Sequence, residues 1–235
     1  MEERIRKRKI VLVGTGFVGM SFAYSLLSEK GINELVLIDM NKDKAVGEQM
    51  DLSDGLPYAD SKMTIKAGEY EECGDADIVV ITAGAAQKPG QTRLELVGIN
   101  ARITKDVATQ VKNSGFKGIL VVASNPVDIM TYVAYKASGL PKEHVIGSGT
   151  ILDTARLRYN ISKRLGMAPS NVHAYILGEH GDSSFVPWIH CYLGCKNLLE
   201  YIDEEDNLTL EDLQNIYLEV RNAAYEIIDR KKATY

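Results

Sequence analysis

Gly14-Thr15-Gly16-Phe17-Val18-Gly19 stands directly after the apolar run Ile10–Val13, with helix-like sequence following. In that G-x-G-x-x-G, Gly14 suits the tight turn, Gly16 lets a backbone approach a pyrophosphate, and Gly19 lets helix and strand pack closely. The start of the helix, with Phe17 and Val18 in its first turn, offers free N–H groups and partial positive charge to the phosphates. Three glycines can serve a plain turn, so the second signal matters. Asp39 ends the next apolar run about 20 residues on, where a carboxylate binds both hydroxyls of an adenosine ribose. A carboxylate there repels a 2′-phosphate, which points to NAD rather than NADP.

Other polar residues out of keeping with their surroundings fall at the ends of apolar runs or in Gly-rich turns. They are the stretch from Gln87 to Arg93, Ser124-Asn125-Pro126, the pair Asp153 and Arg156, and Gly178-Glu179-His180-Gly181-Asp182. Strand ends are where ligands bind in an open α/β sheet. Each has a plain alternative: an i,i+3 surface ion pair for Asp153 and Arg156, turn residues for His180 and Asn125, a solvated Arg93.

The elements that must position these groups follow from pattern. Runs near Lys9–Val13, Glu34–Ile38, Met63–Ala67, Ile78–Thr82, Gly118–Ala123 and Val145–Ile146 predict six strands. They are continuously apolar, as strands covered on both faces must be, and helix-like segments such as Phe17–Lys30 and Arg93–Asn113 fill the gaps. This is an α/β, doubly wound Rossmann parallel sheet over residues 1–149. After Gly149 the rhythm changes. Thr150–Leu165 predicts a helix, Val172–Leu177 and Val186–Leu193 extended runs, and a capping box at Thr209–Asp212 opens a helix. Its stripe is Leu213, Ile216, Tyr217, Val220, Ala224, Ile227 and Ile228. Residues 150–235 thus read as a second, incomplete α+β domain.

Composition excludes several classes of function. The 235 residues are 45% apolar and 25% charged with a mean hydropathy of −0.12, an ordinary globular balance. A net charge of −5 gives no reason to collect on nucleic acid or anionic lipid, and no apolar run approaches a membrane span. The basic stretch Arg4 to Lys9 precedes too short an apolar run for a signal peptide. Cys73, Cys191 and Cys195 are too few and too irregular for a disulfide scaffold and lack the partners of a closed zinc site, so buried thiols, no metal and a cytoplasmic location are expected.

At the loop, the Ser-Asn-Pro, the Asp-x-x-Arg and the Gly-Glu-His-Gly-Asp-Ser segments, the chain closely resembles the L-lactate dehydrogenases of the lactate/malate dehydrogenase family, from about Lys9 to its last residue. The resemblance implies NAD-dependent interconversion of pyruvate and lactate, with His180 as proton donor and acceptor and Asp153 as its carboxylate partner. It implies Arg156 gripping the substrate carboxylate, Arg93 folding over the substrate and polarising its carbonyl, Gly84 and Gly90 freeing that loop, and Asn125 near the reacting oxygen and the cofactor. Gln87 matches the position where malate dehydrogenases carry Arg for a second carboxylate, which favours pyruvate over oxaloacetate. Thr234 matches a hydroxyl side chain bordering the substrate's methyl side. Arg158 and His173 match a basic pair that holds fructose 1,6-bisphosphate at a subunit interface in many bacterial members, and the family is usually tetrameric. Its members run on past Tyr235, so the chain is expected to be a C-terminally truncated member. A malate-type enzyme and a non-catalytic dinucleotide-binding protein are the competing readings.

Overall fold

The computed structural model describes residues 8–85, 93–204 and 208–231. They form two compact units that meet in sequence between Ser148 and Gly149.

The first unit is built on six parallel strands, β1 (Lys9–Val13), β2 (Glu34–Ile38), β3 (Thr64–Ala67), β4 (Ile78–Ile81), β5 (Ile119–Val122) and β6 (Val145–Gly147), in the order β3-β2-β1-β4-β5-β6. Side chains alternate faces along a strand. Ile10 and Leu12 of β1 therefore join the cluster of Leu35, Leu37 and Val80, under α1 (Phe17–Ser25) and α2 (Lys42–Gly55). Val11 and Val13 join Val36, Val79 and Leu120, under α3 (Arg93–Asn113) and α4 (Val127–Ser138). Because both faces are covered, the core strands can be apolar at every position; Val11 and Leu12 are fully buried. Each such side chain contributes about 1.5–3 kcal/mol on burial. Strand order reverses between β1 and β4, so their C-terminal ends, at Gly14 and Thr82, flank the crevice.

The first helix is shorter than its sequence predicts. α1 ends at Ser25, whose hydroxyl bonds back to the Phe22 carbonyl at 2.7 Å, and the chain tightens into a 3-10 turn, Leu26–Ser28, that buries both leucines.

The second unit combines α5 (Ile151–Leu165), α6 (Leu198–Glu204) and α7 (Leu210–Lys231) with a small antiparallel sheet of β7 (Val172–His173), β8 (Tyr192–Leu193) and β9 (Lys196–Asn197). Leu157 and Ile161 of α5 meet Val172, Leu193, Ile216 and Val220 in its core. The capping box forms reciprocally: Asp212 N–H donates to Thr209 Oγ1 at 3.1 Å and Thr209 N–H to Asp212 Oδ2 at 2.9 Å.

Two extended runs are corrected. Only Val172–His173 of the predicted Val172–Leu177 forms a strand, because the Ala174 and Ile176 backbone groups bond to the side chains of Thr150, Thr154 and Arg158, and Leu177 makes only an isolated bridge to Phe185. In Val186–Leu193, Pro187 opens a 3-10 turn, Trp188–His190, closed by His190 N–H on the Pro187 carbonyl at 2.8 Å; only Tyr192–Leu193 remains strand. Cys195 is exposed in the two-residue turn with Gly194, whereas Cys73 and Cys191 are buried. Burial pushes the Cys73 thiol up to about 12.

Candidate active site

The turn after β1 explains its glycines. Gly14 has φ +101° and donates its N–H to the Ile38 carbonyl at 2.8 Å; a Cβ there would lie 2.6 Å from the Ala83 nitrogen. A Cβ on Gly19 would sit 2.1 Å from the Gly14 carbonyl, so the helix could not approach the turn. Gly16 is different: a Cβ would meet nothing within 4 Å, and α1 has no side-chain cap over its first N–H groups. The residues thus fit a dinucleotide, with a helix start that carries no side-chain cap from Gly16 and open space at Gly16. Phe17 and Val18 are exposed there.

Asp39 is half-buried and held from several sides. Its Oδ2 accepts the Thr15 N–H at 2.8 Å and the Thr15 hydroxyl at 2.9 Å, and Oδ1 accepts the Asn41 N–H at 2.9 Å. Burial pushes the carboxyl up, but these hydrogen bonds and the Lys44 charge outweigh it and hold Asp39 below the usual carboxylate range. Lys44 Nζ donates to the Thr15 carbonyl at 2.5 Å, which clamps the turn to α2. Two bonds already fill Oδ2, so Oδ1 is the oxygen with capacity for a ribose hydroxyl.

At the end of β5, Asn100 of α3 is buried and ties two chain segments together, accepting the Ala85 N–H at 2.8 Å and donating to the Asn125 carbonyl at 2.9 Å. Ser124 Oγ donates to the Ala83 carbonyl at 2.7 Å. The Asn125–Pro126 bond is cis, and the Asn125 side chain is exposed. Gly84 is not demanded by space, since a Cβ would make only an ordinary 3.5 Å contact with Asn100. Arg93 opens α3, and its side chain, together with Gln87, Gly90 and Thr234, lies outside the described residues.

In the second unit the structure brings Asp153, Arg156 and His180 together. Asp153 is 9% exposed, in the first turn of α5, where a carboxylate also complements the helix dipole. Its Oδ2 lies 2.5 Å from His180 Nδ1 and its Oδ1 3.8 Å from Arg156 Nη1. This is no solvated i,i+3 surface pair, because both side chains are less than one-fifth exposed. A carboxylate on Nδ1 fixes the imidazole tautomer and stabilises its charged form, an arrangement chemically suited to general acid–base work.

The chain leading to His180 is hung on α5 by polar side chains one turn apart. Thr150 Oγ1 donates to the Ile176 carbonyl at 2.6 Å, Ile176 N–H donates to Thr154 Oγ1 at 3.0 Å, and Arg158 Nε donates to the Ala174 carbonyl at 3.0 Å. The Arg158 guanidinium also lies over the Tyr175 ring, 4.6 Å from its centre, and His173 is exposed. Thr150, Thr154, Thr15, Lys44 and Asn100 escape sequence reading. The i, i+4, i+8 spacing on α5 and an asparagine on the buried face of α3 are the signals that could have found three of them.

Three comparisons place this geometry among known proteins. Residues 8–147 match the sequence model described as lactate/malate dehydrogenase, NAD binding domain, and residues 150–235 that of the lactate/malate dehydrogenase, alpha/beta C-terminal domain. An L-lactate dehydrogenase of Lactococcus lactis subsp. cremoris (strain NZ9000) is 54% identical over 232 residues, which cover 99% of this chain and 74% of that protein. The ligand-bound crystal structure of the minor L-lactate dehydrogenase from Enterococcus mundtii superposes with a TM-score of 0.95 at 53% identity, covering 98% of this chain and 73% of the other. A malate dehydrogenase from Plasmodium falciparum gives 0.91 at 34% identity, covering 97% and 72%. Among the described residues no helix is long and apolar enough to cross a membrane, and no cluster of three metal-ligating side chains is present.

Proposed function

This chain belongs to the lactate/malate dehydrogenase family, and on that premise we propose that it interconverts pyruvate and (S)-lactate with NAD as cofactor. The observation that carries the reading is the Asp153–His180 contact with Arg156 one helical turn away. Residues 1–149 serve as the NAD-binding domain and 150–235 as part of the substrate domain.

The glycine turn, the start of α1 and Asp39 would hold the dinucleotide, which when bound would supply a hydride to the substrate's C2. Reduction also needs one proton at the carbonyl oxygen, and His180 Nε2 delivers it while Asp153 stabilises the imidazolium beforehand. Arg156 offers a planar donor pair to the substrate carboxylate. Arg93 polarises the carbonyl and Asn125 donates near the same oxygen; Gly84 and Gly90 let the loop move. In the reverse direction His180 accepts the hydroxyl proton of lactate, and the overall change is pyruvate plus NADH plus a proton to lactate plus NAD.

Gln87 supports a monocarboxylate substrate, because an amide offers no counter-charge to a second carboxylate, and Thr234 borders the substrate's methyl group. The malate-type alternative draws less support from the 34% identity to a malate dehydrogenase than the lactate reading draws from the 54% identity above. A cytoplasmic tetramer responsive to fructose 1,6-bisphosphate completes the reading. Arg158 and His173 supply its phosphate site, with the Arg158 Nε–H already used on Ala174 and the terminal nitrogens left to contact phosphate.

The test is NADH oxidation with pyruvate and, separately, oxaloacetate. Pyruvate is the better substrate, and His180→Ala abolishes turnover while NADH binding stays intact. Loss of NADH binding in that variant would make His180 structural.

A further inference from the structure

His180 sits on a loop whose two arms are held differently. The neck is closed by Leu177 and Phe185, whose backbones exchange hydrogen bonds of 2.9 and 3.0 Å. The incoming arm is anchored to α5 through Thr150 and Thr154. Inside the loop, Ser183 Oγ donates to Glu179 Oε2 at 2.9 Å and Ser184 N–H reaches the Gly181 carbonyl at 3.3 Å. The outgoing arm has a further anchor from a third element. Tyr217 of α7 donates its hydroxyl to the Ser184 carbonyl, and the Ser184 hydroxyl is 3.4 Å from the same oxygen.

Tyr217 is suited to be a strut. Its ring packs against the core that holds Leu157, Ile216 and Val220, while its polar end projects to the loop. With only two side-chain torsions and a ring packed on that core, Tyr217 has little freedom to lose on making this bond. α7 also packs on α5, the helix that carries Asp153. The partners of the His180 loop are thereby fixed to one another: α5 presents the carboxylate and α7 holds the loop that brings the imidazole to it.

We propose that Tyr217 is a positioning residue that, through the Ser184 carbonyl, holds His180 in register with Asp153. The inference rests on the role of His180 given above. Among the described residues Asp153 of α5 contacts the imidazole and Arg156 of α5 contacts that carboxylate, while Glu179 and Asp182 are the charged residues nearest His180 along its own loop. When the loop loosens, the fixed carboxylate at Nδ1 is the contact that weakens, and the imidazolium is stabilised less.

Tyr217→Phe removes the hydroxyl and keeps the ring in its apolar setting, so the variant folds; melting temperature and NADH titration verify this. One neutral hydrogen bond corresponds to about a two- to tenfold effect, which is the expected fall in kcat/KM for pyruvate. The alkaline limb of that pH profile, where the imidazolium is lost, moves to lower pH by about half a unit. Amide hydrogen exchange from Gly181 to Phe185 quickens by a similar factor in the unliganded protein. A fall in kcat/KM with an unmoved limb, or unchanged kinetics and exchange, overturns the proposal. If the unmutated chain turns over no pyruvate, the functional reading fails by itself, and the exchange measurement still decides whether Tyr217 holds the loop.

Discussion

Asp153→Asn preserves shape and removes one charge, and the expected loss can be worked from the geometry. The wild-type carboxylate lies 2.5 Å from His180 Nδ1 and is 9% exposed. With the two charges centred about 4 Å apart and an effective dielectric constant of about 20, their attraction is about 4 kcal/mol once the imidazole is protonated. The amide returns about 1 kcal/mol if its oxygen accepts the Nδ1 proton, which leaves a net loss of about 3 kcal/mol, or about 10²-fold in kcat/KM. If its NH2 faces the ring, the wrong tautomer is favoured and the loss grows toward 10⁴-fold, the size seen when a serine protease loses the equivalent charge. Arg156 also loses the carboxylate 3.8 Å away, so the KM for pyruvate changes as well. The assay is initial rates of pyruvate reduction at saturating NADH, with NADH affinity measured by fluorescence as the control for folding. A loss below fivefold at unchanged NADH affinity would refute the argument, because a carboxylate so close to a working imidazole cannot be worth so little.

NADH should bind at least about 10²-fold more tightly than NADPH, and Asp39→Ser should narrow the gap; paired fluorescence titrations check both, with equal wild-type affinities as the contrary result. Lys9→Ala should cost about 1–2 kcal/mol, because the buried ammonium lies 2.6 Å from Glu72 and 2.5 Å from Asp75, while Glu72 keeps Lys66 at 2.9 Å and Asp75 is mostly exposed. Burial alone would lower the Lys9 pKa, but Asp75 and Glu72 raise it above 10.5. Its stabilisation is therefore complete below about pH 10.5 and lost as the pH rises through the higher folded value, and urea titrations of both proteins should converge there. Gln87→Arg should shift the ratio of kcat/KM from pyruvate toward oxaloacetate by about 10² or more, measured side by side; a shift under about threefold would remove Gln87 from the substrate.

The parallel sheet was legible because its strands are buried on both faces and therefore read as unbroken apolar runs, as Ile10–Val13 and Ile78–Ile81 do. The dinucleotide turn was legible because Gly14 and Gly19 are set by backbone geometry, which leaves residue type little choice. The second unit was harder. Its segment after His173 is extended and apolar like a strand, yet its backbone bonds go to Thr150, Thr154 and Arg158, and partners distant in sequence leave no local pattern. Pro187 broke the next run by lacking an N–H, a signal present in the sequence and outweighed there by Val186, Trp188 and Ile189. Asp153 and Arg156 carried the ambiguity of any i,i+3 pair until burial and the His180 contact removed it.

The central claim is a hydride transferred to C2 of pyruvate with a proton from His180. Incubating the chain with pyruvate and NADH dideuterated at C4 tests it most directly. The account predicts (S)-lactate carrying one deuterium at C2 for each NADH consumed, and none with His180→Ala. NADH consumption without deuterated lactate, or undiminished labelling in the variant, would contradict it.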